Sequence, residues 1–331
     1  MNLYEQQRAN RRKTWLVMFV FMAFLFVLGA GFDTFYLGGG GRFAPIGSVL
    51  ALAVGSVSAI ATYLGGDRAV LFATGAKPLA EVIASATEAD RLKLQQLGNV
   101  VDEMAIASGV PRPEVYVVPD PDPNAFATGR GPGRSSIAVT RGLLDALDRE
   151  ELQGVIAHEM SHIRNLDVRL MTIVAALVGG VVLLSDWARR SMWWGGGSRR
   201  SRDDDERGGG GGIGGVIFFV VWLVLLLLAP LIAQLLSMMV SRQREYLADA
   251  SGAELTRNPV GLARALEKIE SAVAPTQAIN RGSAHLCIAD PLGRRVNLTE
   301  GRWSNLFASH PPMAARISAL NGMALKGGPH G

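Results

Sequence analysis

Four apolar stretches interrupt the mixed polar and apolar pattern of this chain. They run from Thr14 to about Phe32, Ile46 to about Leu64, Val168 to about Leu184, and Ile213 to about Val240. Each has roughly the 20 residues a helix needs to cross a bilayer. No clear small-residue cleavage site follows the first, so it reads as an uncleaved anchor. Arg8, Arg11, Arg12 and Lys13 precede it, which predicts a cytoplasmic N-terminus. The loop from Asp33 to Pro45 carries only Arg42 and is expected outside; the second stretch then returns the chain to the cytoplasm. The third and fourth stretches leave two readings open. Their connection, 186–212, holds Arg189, Arg190, Arg199, Arg200, Arg202 and Arg207, which resist placement outside. The pair either spans as a hairpin or packs without crossing. Glycine runs at 195–197 and 208–212 mark this connection as a flexible linker. Gly209, Gly211 and Gly214 match a nucleotide-loop spacing, but a polar run rather than a strand precedes them.

Between the stretches the period of the pattern changes. Thr87 to Ser108 reads as an amphipathic helix with Leu92, Leu94, Leu97, Val100, Val101, Met104 and Ile106 as its apolar set. Glu114–Val118, Asn124–Thr128 and Ser135–Thr140 read as strands, with a turn at Gly129–Gly133. A helix begins after Asp148 and Glu151, which stand in capping-box spacing. Leu152, Val155, Ile156, Met160 and Ile163 give it a packing side. Another helical run begins near Ser241. The expected fold class is an α+β membrane protein with about four hydrophobic helices, transmembrane or membrane-embedded, and a mainly helical soluble domain containing a small sheet. Its parts are a membrane hairpin (1–64), a first cytoplasmic part (65–167), a second hydrophobic hairpin (168–240) and a second cytoplasmic part (241–331).

Composition agrees with this. The 331 residues are 49% hydrophobic and 19% charged, more apolar than ordinary soluble proteins. The formal charge is only +4, and no basic stretch interleaved with aromatics suggests nucleic acid. Cys287 is the single cysteine, so an intrachain disulfide and a cysteine-rich metal site are both excluded.

The candidate chemistry lies at 158–162, His-Glu-Met-Ser-His. On a helix His158 and His162 share one face and can reach one Zn²⁺, with Glu159 close enough to act on a water beside it. Catalytic zinc usually takes three protein ligands. The other histidines are His285, His310 and His330, and the position where a metzincin carries its third histidine is Val168. Glu245 and Asp249, at i and i+4, are the best alternative: one to ligate, the other to orient a histidine. A solvated acidic face is the competing reading of that pair. His162 leads into the third apolar stretch and Glu245 follows the fourth. Both therefore lie on one side of the membrane whether the pair crosses or not.

These residues resemble a known family. His158–His162 followed by Ile163-Arg164-Asn165, then Arg244-Glu245-Tyr246-Leu247-Ala248-Asp249 after two hydrophobic segments, is similar to the membrane zinc metalloproteases of the HtpX and CAAX prenyl protease group, HtpX more closely. Asn124–Gly129, Ala284–Leu292, and Ser309-His310-Pro311-Pro312 with Arg316 resemble further signatures of that family. The resemblance implies a zincin-like protease domain with one Zn²⁺ held by His158, His162 and Glu245. It implies Glu159 as catalytic acid and base, Asp249 behind a ligand histidine, Arg316 paired with that carboxylate, and His310 as oxyanion stabiliser. Asn124, Ala125, Phe126, Ala127 and Thr128 become the strand that receives substrate. It also implies a bacterial inner-membrane enzyme, its protease domain facing the cytoplasm. Its partners are the lipid bilayer and misfolded or unfolded membrane-protein substrates. A non-catalytic membrane scaffold and a CAAX-type processing protease stay open as alternatives.

Overall fold

The computed structural model describes residues 3–33, 45–174, 242–272, 276–279, 286–289 and 311–326. Two long helices begin the chain: α1 (Leu3–Phe32) and α2 (Ile46–Ala73). Both run beyond the apolar stretches that predicted them, α1 towards the N-terminus and α2 past Leu64. Helix propensity continues into the charged flanks, whereas apolar length reports only the greasy part. Trp15, Leu16, Phe19, Ile46, Leu50 and Val57 are exposed on these helices. Among the described residues no helix is long and apolar enough to cross a membrane. Side chains 24–25, 28–29 and 31–32 of α1, and several of α2, fall outside that description and interrupt both runs. Asp33 accepts hydrogen bonds from the Ser48 N–H (2.7 Å) and hydroxyl (2.5 Å).

The chain divides into two compact units, one of 1–14, 64–176 and 237–331, the other of 15–63 and 177–236. The larger is a mixed α/β assembly. A two-residue strand β1 (Lys77–Pro78) leads into α3 (Leu79–Ser85) and α4 (Glu88–Ser108). Thr87 caps α4 by accepting from the Asp90 N–H, and Gly109, at φ +68°, ends it. Leu94, Leu97, Val100, Val101 and Met104 of α4 are buried, but Leu92 and Ile106 face solvent. Those two lie off the stripe that a 3.6-residue period allows.

Three further strands follow: β2 (Glu114–Val118), β3 (Ala125–Gly131) and β4 (Arg134–Thr140). The sheet order is β1-β2-β4-β3. β2 and β4 are parallel, while β3 returns antiparallel to β4 and forms an edge. The β3–β4 turn is tighter than the five-residue turn expected, because Gly129 and Gly131 carry the strand on at φ +139° and +145°. A short helix α5 (Arg141–Ala146) then intervenes before α6 (Arg149–Arg164). α6 is central: Leu152, Val155, Ile156, Met160 and Ile163 pack with α4, β4 and the later helices α7 (Arg242–Thr256) and α8 (Pro259–Ser271). α9 (Met313–Lys326) packs on α8 and closes the unit. The third apolar stretch beyond Val174, the connection 186–212, the fourth stretch and His310 lie outside the described residues.

Candidate metal centre

The reciprocal cap at the start of α6 fixes where its functional residues fall. Asp148 accepts from the Glu151 N–H (3.0 Å), and Glu151 accepts from the Asp148 N–H (2.9 Å). Further along, His158 and His162 stand one turn apart with their Nε2 atoms separated by 3.2 Å. Their rings meet edge-on. α7 crosses close to them because Gly252 has no side chain: a Cβ there would sit 3.1 Å from His158 N. That approach brings Glu245 to the histidines, with Oε2 3.7 Å from His158 Nε2 and Oε1 3.6 Å from His162 Nε2. All three side chains are buried.

Each histidine has its own carboxylate behind it. Asp249 Oδ1 lies 2.9 Å from His158 Nδ1. Arg316, from α9, grips Asp249 with two parallel hydrogen bonds, Nε to Oδ2 at 2.8 Å and Nη2 to Oδ1 at 2.7 Å. Its Nη1 donates to the Ile288 carbonyl at 2.7 Å and lies 3.4 Å from Glu245. Asp167 Oδ2 lies 3.2 Å from His162 Nδ1. Glu159 is buried beside this set, and among the described residues neither of its carboxylate oxygens has an aligned hydrogen-bond partner.

Burial dominates the electrostatics. It pushes Glu159 up to about 7, with His162 partly opposing the shift; the neighbouring Ala127 N–H also opposes it without donating an aligned bond. Burial lowers His158, and Asp249 offsets part of that. Burial works against charge on His162 too, but Asp167 and Glu245 outweigh it and raise the ring to about 9.

Residues 91–324 match the model of peptidase family M48. The chain belongs to that family. The Protease HtpX homolog of Caldanaerobacter subterraneus subsp. tengcongensis is 43% identical over 325 residues, covering 98% of each chain. That of Dictyoglomus thermophilum is 41% identical over 320 residues, covering 97% of this chain and 94% of its own. The solved structure of S. mikatae Ste24p aligns at TM-score 0.41 and 18% identity, over 96% of this chain and 66% of that one.

The donor set of this M48 member fits a divalent cation. His158, His162 and Glu245 offer ligand atoms all within 4.8 Å of one another. Two nitrogens that each bind zinc at about 2.0–2.1 Å stand roughly 3.4 Å apart in a tetrahedral site. The observed separations of 3.2, 3.6 and 3.7 Å bracket that spacing. With a carboxylate beside Nδ1 of each ring, both Nε2 atoms face the same point.

Two placements differ from expectation. Asn124, Ala125, Phe126, Ala127 and Thr128, which the family resemblance implies as the strand that receives substrate, are all buried, and the edge at Ala125 and Phe126 is already paired. Phe126 bridges to Cys287, and the Ala125 carbonyl accepts from the Ile288 N–H at 2.9 Å. Asn124 Nδ2 donates to the Ala289 carbonyl at 2.9 Å, and Thr172 Oγ1 accepts from the Gly129 N–H at 3.1 Å. An edge strand with unpaired N–H and C=O groups is a template for pairing, and here the chain's own 286–289 segment takes its Ala125–Phe126 end. The second difference is Asp167, which sequence reasoning passed over. The available signal was a carboxylate five residues after His162, just beyond the end of α6. His310 lies outside the described residues, so only Arg316 of that pair is located.

Proposed function

We propose that this chain is a membrane-anchored zinc endopeptidase of the bacterial inner membrane, with its protease domain on the cytoplasmic side. The observation that carries the reading is the convergence of His158, His162 and Glu245 beside the buried acid Glu159. A structural zinc site is usually closed by four protein ligands; three ligands next to a general base suit a catalytic one. Bound zinc would supply Lewis acidity towards the attacking water and the scissile carbonyl.

The chain's own residues do the rest. Glu159, with its pKa near 7, can accept the proton of the attacking water and return it to the leaving amine. Asp249 and Asp167, each within 3.2 Å of an Nδ1, favour the tautomer that faces Nε2 inward. Arg316 neutralises Asp249 so that a buried carboxylate can stay charged behind His158. His310 retains the role of oxyanion stabiliser that its motif implies. The exposed apolar residues of α1 and α2 support anchoring in a bilayer, since a soluble protein rarely shows so many together. Misfolded or damaged membrane proteins are the proposed substrates, in a quality-control role. A strand-like substrate pairing at the Ala125–Phe126 end of the β3 edge would have to displace the 286–289 segment.

The test is Glu159→Gln in the full chain. The variant is expected to keep one zinc per chain and to lose cleavage of an unfolded membrane-protein substrate. Wild-type cleavage by that variant would remove Glu159 from the mechanism.

A further inference from the structure

His162 is oriented by Asp167, and something must in turn hold Asp167. It sits just after a strained turn. Leu166 adopts φ +61°, a left-handed conformation that a residue with a Cβ disfavours. That turn folds Asp167 back beneath His162, where its Oδ2 meets Nδ1. Its other oxygen, Oδ1, accepts a 2.6 Å hydrogen bond from the side chain of Asn10, at the N-terminal end of α1. The same Asn10 Nδ2 donates to the Asn165 carbonyl at 3.0 Å. A carboxamide nitrogen has two hydrogens, and here each has an acceptor. One braces the turn before Leu166; the other fixes the carboxylate. Asn10, Asn165 and Asp167 are all buried. Arg244 Nη1 lies 3.5 Å from the same Oδ1, and it comes from the helix that carries Glu245.

We propose that Asn10 is a positioning residue of the metal centre, acting through Asp167 on His162. The N-terminal helix is then part of the site as well as an anchor, 155 residues away in sequence from the turn it braces. The residue type follows from the chemistry. An aspartate at position 10 would set two carboxylates against each other, and an apolar residue would leave Asp167 Oδ1 and the Asn165 carbonyl short of a donor. This inference rests on the metal-site reading above.

The experiment compares full-length wild type, Asn10→Leu, Asn10→Ala and His162→Ala in detergent, each stripped of metal and titrated with Zn²⁺ against a chromophoric chelator. Thermal unfolding of the metal-free forms is measured alongside. Wild type is expected to take one zinc tightly, and His162→Ala to lose it. Asn10→Leu is expected to weaken zinc binding about 3- to 10-fold, less than the roughly 10- to 100-fold usual for removing a ligand's direct outer partner, because Asn10 acts one step further out, through Asp167. Asn10→Ala tests the same point with less steric change should the leucine variant fail to fold. With selectively ¹⁵N-labelled histidine, the His162 ring of Asn10→Ala should shift and that of His158 should not. Wild-type zinc affinity in Asn10→Ala with an unmoved His162 signal overturns the proposal while leaving the metal site intact. Absence of zinc binding in the wild type instead overturns the metal-site reading itself, and this inference with it.

Discussion

Gly252 sets the distance between the two helices that share the metal site, and replacing it should separate metal binding from folding. A Cβ at this position would lie 3.1 Å from His158 N, 3.3 Å from His158 Cα and 3.4 Å from Ala157 C. Comfortable carbon contacts begin near 3.5 Å. Gly252→Ala therefore pushes α7 off α6 by a few tenths of an ångström, and Gly252→Val by more. Glu245 and Asp249 lie seven and three residues earlier on the same helical face, so they move with it. Such sites tolerate about 0.5 Å of misplacement, and an error of about 1 Å can cost 100-fold. Gly252→Ala should weaken zinc binding roughly tenfold and Gly252→Val about 100-fold or more. Stability should change less: overpacking costs about 1–3 kcal/mol, and removing a mid-helix glycine returns up to about 1 kcal/mol. Gly154→Ala is the control. Its Cβ would meet the Leu262 backbone at 2.9 Å, on α8, which carries none of the site residues. It should destabilise the fold by about 1–3 kcal/mol while zinc affinity stays within about twofold. Chelator competition and thermal unfolding of the full chain in detergent give both quantities. Wild-type zinc affinity in Gly252→Val, or an equal loss of affinity in Gly154→Ala, would refute the reasoning.

Two further outcomes follow from the site and its helix. Asp148→Ala removes an acceptor from the cap of α6 and should cost about 1 kcal/mol in thermal unfolding; no loss would mean that tertiary packing alone sets the start of that helix. Against its burial, Arg316 and His158 hold Asp249 down to about 2, from an ordinary 3.8. Because the folded value is the lower one, the stabilisation of ~2 kcal/mol is complete above about pH 4 and is lost as the pH falls through 2. Unfolding of the metal-free protein should depend less on pH between 4 and 2 in Asp249→Asn than in wild type, and identical slopes would contradict the pairing. Arg316→Met leaves that carboxylate buried without its guanidinium partner, so it should cost about 3–5 kcal/mol at neutral pH, with part regained on acidification.

Much of the local structure was legible because its causes are local. EVYVV between prolines reads as the strand Glu114–Val118, and the spacing of Asp148 and Glu151 marks the start of α6. The i, i+4 histidines require a helix to share a face, and they lie on one. Where local pattern misled, geometry around the whole element explains it. Leu92 and Ile106 are apolar but lie off the buried stripe of α4, and the sequence cannot say how wide that stripe is.

The sequence by itself determined the family resemblance, the helix carrying His158, Glu159 and His162, and the choice of Glu245 and Asp249 as candidate acidic partners. Those depend on spacing within a few turns of chain. Only the tertiary structure decided which groups meet across other long separations: Asp167 under His162, Asn10 on Asp167, and the 286–289 segment on the β3 edge. No periodicity records such contacts. They arise when a glycine lets two helices approach, a strained turn redirects a carboxylate, and buried polar atoms must each find a partner.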